Sequence, residues 1–108
     1  MSKFDEFLAA VKDGAKDLAR TTIQDFAASA ETDARTFLDD TEDDLRRWTE
    51  QLERGELSSD EFASLLRGRV ALAQMAALTA AGVALTRVQR LRDDLTDLVL
   101  KTAIDVFL

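Results

Sequence analysis

Apolar residues recur every three or four positions along most of the chain, which is the spacing of one face of an α-helix. In the first half of the chain these positions run from Phe4 to Leu52, and in the second half from Phe62 to Val106. Proline is absent, and no run of alternating β-branched or aromatic residues marks a strand. The pattern therefore predicts an all-α protein.

One clear interruption lies between the two halves. Arg54 and Gly55 have the features of a helix C-terminus, with a cation in the last turn and a glycine that can adopt the left-handed conformation. Ser58 and Glu61 then have the spacing of a capping box at the start of a helix. We expect a single domain over residues 1–108, made of a helical arm over 3–54, a turn over 55–58 and a second arm over 59–108.

Arms of equal length predict a long antiparallel helical hairpin. At 1.5 Å per residue, an arm of about fifty residues would be about 75 Å long. An alternative is a three-helix arrangement, because Thr41 could cap a new helix and break or kink the first arm near 39–41. The apolar spacing continues across this point from Leu38 to Leu45, which favours a continuous arm.

Residues 70–86 contain no charged side chain and place apolar residues on every face of a helix. A helix that is apolar all round must be covered all round, and the other arm of a hairpin covers one side only. We therefore expect two hairpins to pair as a homodimeric four-helix bundle. The predicted oligomer interface consists of Val70, Ala73, Ala76, Ala77, Ala80, Ala81 and Ala84.

Histidine and cysteine are both absent, so the chain lacks a thiolate nucleophile, a Ser-His pair and the usual ligands of zinc and haem. Residues 50–62 match an EF-hand calcium loop at Gly55 and Glu61, but Leu52 and Arg54 occupy two of its ligand positions. Leucine cannot coordinate a cation, and arginine repels one. We expect no metal, no cofactor and no enzymatic activity.

Charge and hydropathy limit the partners. The chain has 21 acidic and 14 basic residues, a net charge of −7, which argues against nucleic acid and against anionic membranes. The uncharged segment 70–86 is shorter than the roughly 20 residues that a membrane span requires. The first residues carry charges and form no apolar leader, and cysteine is absent, so we expect a cytoplasmic protein.

These exclusions leave a non-enzymatic interaction or scaffold protein that self-associates and docks onto a protein partner. The alternative is an amphipathic protein that opens and binds a lipid surface or an apolar ligand. In a hairpin both chain ends meet, so the partner contact is expected either at an apolar tip or at an acidic belt. The tip would consist of Phe4, Phe7, Val106 and Phe107, and the belt of Asp39, Asp40, Asp43 and Asp44.

Overall fold

Five α-helices, one 3-10 turn and short loops make up the fold in the computed structural model, which describes residues 2–108. The absence of any strand in these residues confirms the all-α prediction. The helices are α1 (Lys3–Thr22), α2 (Ala27–Glu53), α3 (Ser59–Leu72), α4 (Ala76–Ala80) and α5 (Leu85–Phe107), and the 3-10 turn is Gln24–Phe26.

The four long helices form an up-down-up-down bundle. Helix α1 packs on α2, α2 on α3 and α3 on α5, and α5 returns to pack on α1. At one end of the bundle, which we call the terminal end, the rings of Phe7 and Phe107 are 5.6 Å apart. Short helix α4 packs on α2 near the opposite end, which we call the α4 end. The bundle is 42 Å long, close to the roughly 40 Å of a 27-residue helix such as α2.

The extended hairpin predicted from the sequence must be corrected, because each arm folds back on itself. The first arm turns at residues 23–26 and the second between residues 73 and 84. A four-helix bundle therefore forms within one chain, where the sequence predicted that two chains would supply it. The radius of gyration is 13.6 Å, near the roughly 13 Å of a single compact domain of this length.

The first turn follows from three β-branched residues in succession, Thr21, Thr22 and Ile23, which are weaker helix formers than the residues before them. Ile23 has φ −133° and ψ 70°, outside the helical region, and its side chain is completely buried. The hydroxyl of Thr22 donates to the carboxylate of Asp94 on α5, 3.2 Å away. The turn is therefore fixed by burial and by a contact between distant parts of the chain.

The predicted turn after the first arm is confirmed. Gly55 has φ +77°, the left-handed conformation that ends α2. Ser58 Oγ accepts from the Glu61 backbone N–H at 3.1 Å, and the Glu61 carboxylate accepts from the Ser58 N–H at 3.0 Å. Continuity of the first arm across Asp39–Asp44 is also confirmed, because α2 is unbroken there.

Two helical glycines have different surroundings. A Cβ on Gly14 would lie 2.7 Å from Leu98 Cδ1, so α1 and α5 approach closely at this point. A Cβ on Gly68 of α3 would meet nothing within 4 Å. Glycine inside a helix costs about 1 kcal/mol relative to alanine. The close helix contact explains Gly14, whereas no contact within the chain explains Gly68.

This difference gives a paired prediction. We expect Gly68→Ala to raise the free energy of unfolding by about 0.5–1 kcal/mol, because alanine is the better helix former and its methyl group has open space. Gly14→Ala should gain less, because Leu98 must move to admit the methyl group. Urea denaturation of dilute protein measures both values, and equal stabilisation by the two substitutions would contradict the close approach of α1 and α5.

Candidate docking surface at the α4 end

Residues 70–86 do not form the single helix that the sequence predicted. They comprise the end of α3, a loop, the short helix α4, a second loop and the start of α5. The all-round burial expected of this segment is therefore corrected. Of the predicted oligomer interface residues, Val70 is buried in the core and Ala73 and Ala77 are half-buried, while the remaining four are exposed: Ala76, Ala80, Ala81 and Ala84.

The break before α4 depends on Asp33, a side chain from another helix. Its carboxylate is 6% exposed and accepts the backbone N–H groups of Ala77 and Leu78 at 2.9 and 2.8 Å. These groups are unpaired donors of the first turn of α4, so Asp33 of α2 caps that helix. Met75, just before α4, has the left-handed φ of +49° and is buried.

Two arginines connect neighbouring elements near the loop before α4. The guanidinium of Arg92 on α5 donates to the backbone carbonyl of Ala73. Arg69 on α3 donates to the backbone carbonyl of Asp40 at 3.2 Å, and its Nε lies 3.4 Å from a carboxylate oxygen of Asp44. Arg69 therefore connects α3 to α2, and Arg92 connects α5 to the loop that follows α3.

A third contact ties the start of α5 to the 3-10 turn. Arg87 donates to both carboxylate oxygens of Asp25, at 2.5 and 3.2 Å. This hydrogen bond lowers the pKa of the Asp25 carboxyl below its ordinary value of 3.8 and raises the pKa of the Arg87 guanidinium. Because the carboxyl pKa is lowered in the folded state, the contact contributes its full stabilisation above about pH 4. That stabilisation is lost as the pH falls through the pKa of the folded state.

The surface above these ties is uncharged. Arg69 and Arg87 bracket residues 70–86, and most side chains of 71–86 are exposed. We call these exposed side chains the uncharged shoulder. Leu72 is 76% exposed and Leu85 is 74% exposed, more than any other large apolar side chain of residues 2–108. Leu72 also lies at the edge of an open groove of about 600 Å³ between α2 and residues 72–77.

Carboxylates are absent from the whole stretch that carries the shoulder. Residues 62–92 contain five arginines and no acidic residue. Because the whole chain has a net charge of −7, the remaining residues carry a net charge of −12. Residues 62–92 are thus a basic stretch within an acidic protein.

The predicted apolar tip is brought together but is not an exposed tip. The rings of Phe4 and Phe7 are 5.9 Å apart, and Phe7 and Phe107 also pack together, all three as buried core residues. Val106 is half-buried, and the guanidinium of Arg46 covers the Phe4 ring at 4.3 Å. The four residues of the predicted tip therefore offer little exposed apolar surface to a partner.

The acidic belt lies on the continuous helix α2. Asp39, Asp40 and Asp43 are exposed, and Asp44 is half-buried. Asp44 pairs with Arg47 at 2.7 Å and with Arg69 at 3.4 Å, so it is partly neutralised. Within residues 2–108, no group of three or more acidic side chains converges in a way that could hold a metal ion.

Comparisons with protein-family models, with curated proteins and with solved structures gave no significant match to this chain. Among the helices of residues 2–108, none combines the length and the apolar character needed to cross a membrane.

The capping role of Asp33 gives a stability prediction. We expect Asp33→Ala to lower the free energy of unfolding by about 2 kcal/mol, because it leaves the Leu78 N–H buried without an acceptor. The matched control is Asp39→Ala on the exposed side of the same helix, for which we expect a change within about 0.5 kcal/mol. Urea denaturation measures both, and equal effects would contradict the capping role.

The ion pair between α5 and the 3-10 turn gives a titration prediction. We expect Arg87→Gln to raise the pKa of Asp25 towards its ordinary value of 3.8, because the hydrogen bond that lowers it is weakened. Carbon-13 NMR of the side-chain carboxyl groups measures this pKa. Glu61 is the internal control, since its own lowered pKa arises from hydrogen bonds with Ser58 and should not change. A parallel shift of both residues would indicate unfolding instead.

Proposed function

We propose that the protein is a non-enzymatic helical interaction protein of the cytoplasm, which self-associates and docks onto a protein partner. The observation that carries this proposal is the uncharged shoulder, where Leu72 and Leu85 project from an otherwise acidic molecule. Monomeric soluble proteins rarely expose large contiguous apolar patches, and such patches commonly mark an interaction site.

The energetics support docking through the shoulder. Burying a leucine side chain contributes about 1.5–3 kcal/mol, so two exposed leucines form a useful apolar anchor. The backbone beneath them is held by Asp33, Arg92 and Arg87. A surface that is already ordered loses little conformational entropy when a partner binds.

The absence of His and Cys from the sequence supports a function without catalysis. The buried carboxylate near the groove, Asp33, has both oxygens engaged by backbone N–H groups, so it serves the fold. The cysteine-free composition supports residence in the cytoplasm.

Binding to a lipid surface, the alternative function, would require the bundle to open. The apolar stripes that would lie on a lipid surface, such as that of Phe7, Val11 and Ala15, are buried in the bundle. The bundle would have to open before these stripes could contact lipid.

The proposal predicts a specific effect on molecular mass. At micromolar concentration we expect light scattering after size exclusion to give twice the 12.0 kDa mass of one chain. The double substitution Leu72→Ser and Leu85→Ser should return the mass to that of one chain without loss of helical circular dichroism, because both side chains lie outside the core.

The matched control is Leu108→Ser, which removes a leucine of similar exposure, 69%, at the terminal end. This variant should associate like the unchanged protein. A monomeric unchanged protein would contradict self-association. Flotation with lipid vesicles, in a protein that stays monomeric, would favour the lipid alternative.

A further inference from the structure

Helix α3 presents apolar residues on two opposite faces. Phe62, Leu66 and Val70 face the core and are buried. On the outer face, Leu65 and Leu72 are seven residues apart with Gly68 between them, a spacing that places all three on one side of the helix. We call these three residues the outer α3 face. All three are exposed, Leu65 to 41% and Leu72 to 76%.

Gly68 at the centre of this face has no structural reason within the chain. Gly14 allows the close approach of Leu98, and Gly55 and Gly82 have positive φ angles. Gly68 has neither property, yet a glycine inside a helix costs about 1 kcal/mol. What an exposed glycine does provide is a low point on the helix surface, where another backbone can approach closely.

The charge distribution indicates what approaches. The chain has a net charge of −7, so two copies that meet at most parts of their surfaces would place carboxylates against carboxylates. Burying unpaired carboxylates is costly. The stretch from residue 62 to residue 92 contributes no carboxylate of its own, so a contact between two copies there opposes few carboxylates, the nearby ones being Asp40 beside Arg69 and Glu61 one turn before Leu65. Arg67 and Arg90, which are exposed in this stretch, can pair at the rim with the acidic surface of the other copy.

The available area shows that the shoulder cannot serve alone. The bundle's cross-section of 26 × 19 Å corresponds to about 500 Å² at the α4 end. A stable interface buries about 800 Å² on each partner. Leu72 is both the last residue of α3 and a member of the shoulder, so the surface continues from the shoulder down the outer α3 face, over about 10 Å of helix.

We infer that the shoulder and the outer α3 face together bind a second copy of this chain, with the two α3 helices crossing at Gly68. This inference rests on the proposed self-association and adds its location and geometry.

The chain contains no cysteine, so a single introduced cysteine reports this geometry directly. We expect Gly68→Cys, treated with diamide, to form a covalent dimer in most of the protein. A disulfide requires the two Cα atoms to lie within about 7 Å of one another, which only a crossing near this residue provides. The control is Ala10→Cys, exposed on α1, a helix that contacts α2 and α5 in the bundle, and it should remain uncrosslinked.

A second variant tests the same crossing without a crosslink. Gly68→Gln places a long side chain where the monomer has open space. We expect helical circular dichroism to be unchanged and the dimer dissociation constant to rise about tenfold, because overpacking at a tight crossing costs on the order of 1–3 kcal/mol.

The outcomes separate the inference from the proposed function. A dimer by light scattering in which Gly68→Cys does not crosslink and Gly68→Gln binds normally would overturn the crossing at Gly68 and leave self-association standing. An unchanged protein that is monomeric would overturn both. Flotation of the unchanged protein on vesicles of phosphatidylglycerol and phosphatidylcholine, without crosslinking at position 68, would assign the same surface to lipid and overturn the inference.

Discussion

The contact between Asp33 and the first turn of α4 determines the course of the second half of the chain. A helix of five residues is too short to be stable by itself, because nucleation is unfavourable and few backbone bonds are gained. The carboxylate of Asp33 supplies acceptors that the sequence of α4 does not contain, from a position fixed in α2. With α4 held, α5 runs back along the bundle and packs on α1, which closes the four-helix arrangement.

Features determined by neighbouring residues could be predicted from the sequence. The capping box of Ser58 and Glu61 acts across three residues, and the turn at Gly55 depends on the freedom of glycine at positive φ. The continuity of α2 through its acidic run followed from an apolar spacing that keeps Leu38 and Leu45 on one face, where both are buried. These signals gave the helical class and the central turn correctly.

The turns within each arm could not be predicted in this way, because distant residues stabilise them. Asp33 accepts from Ala77 and Leu78, which follow it by 44 and 45 positions in the sequence. Arg87 pairs with Asp25, which precedes it by 62 positions. Neither turn contains proline, and the local signals were weak: the β-branched run that ends at Ile23, and Gly82, which has a φ of +80° in the loop before α5. The expectation of all-round burial for residues 70–86 was wrong for the same reason. It assumed that these residues form one helix, whereas the contact with Asp33 breaks the helix before α4.

In the proposed function, one set of side chains provides stability and another provides association. Asp33 and Arg92 lie beneath the shoulder and hold its backbone, whereas Leu72 and Leu85 lie above it and leave most of their surfaces exposed. Apolar side chains that remain exposed contribute little to the free energy of folding, because that contribution scales with the area removed from water. The same side chains can contribute fully to binding, where their area is buried for the first time. Because polar contacts with distant residues hold the backbone at this end of the bundle, the exposed leucines and the open surface of Gly68 are not needed for the fold and are available for the proposed docking.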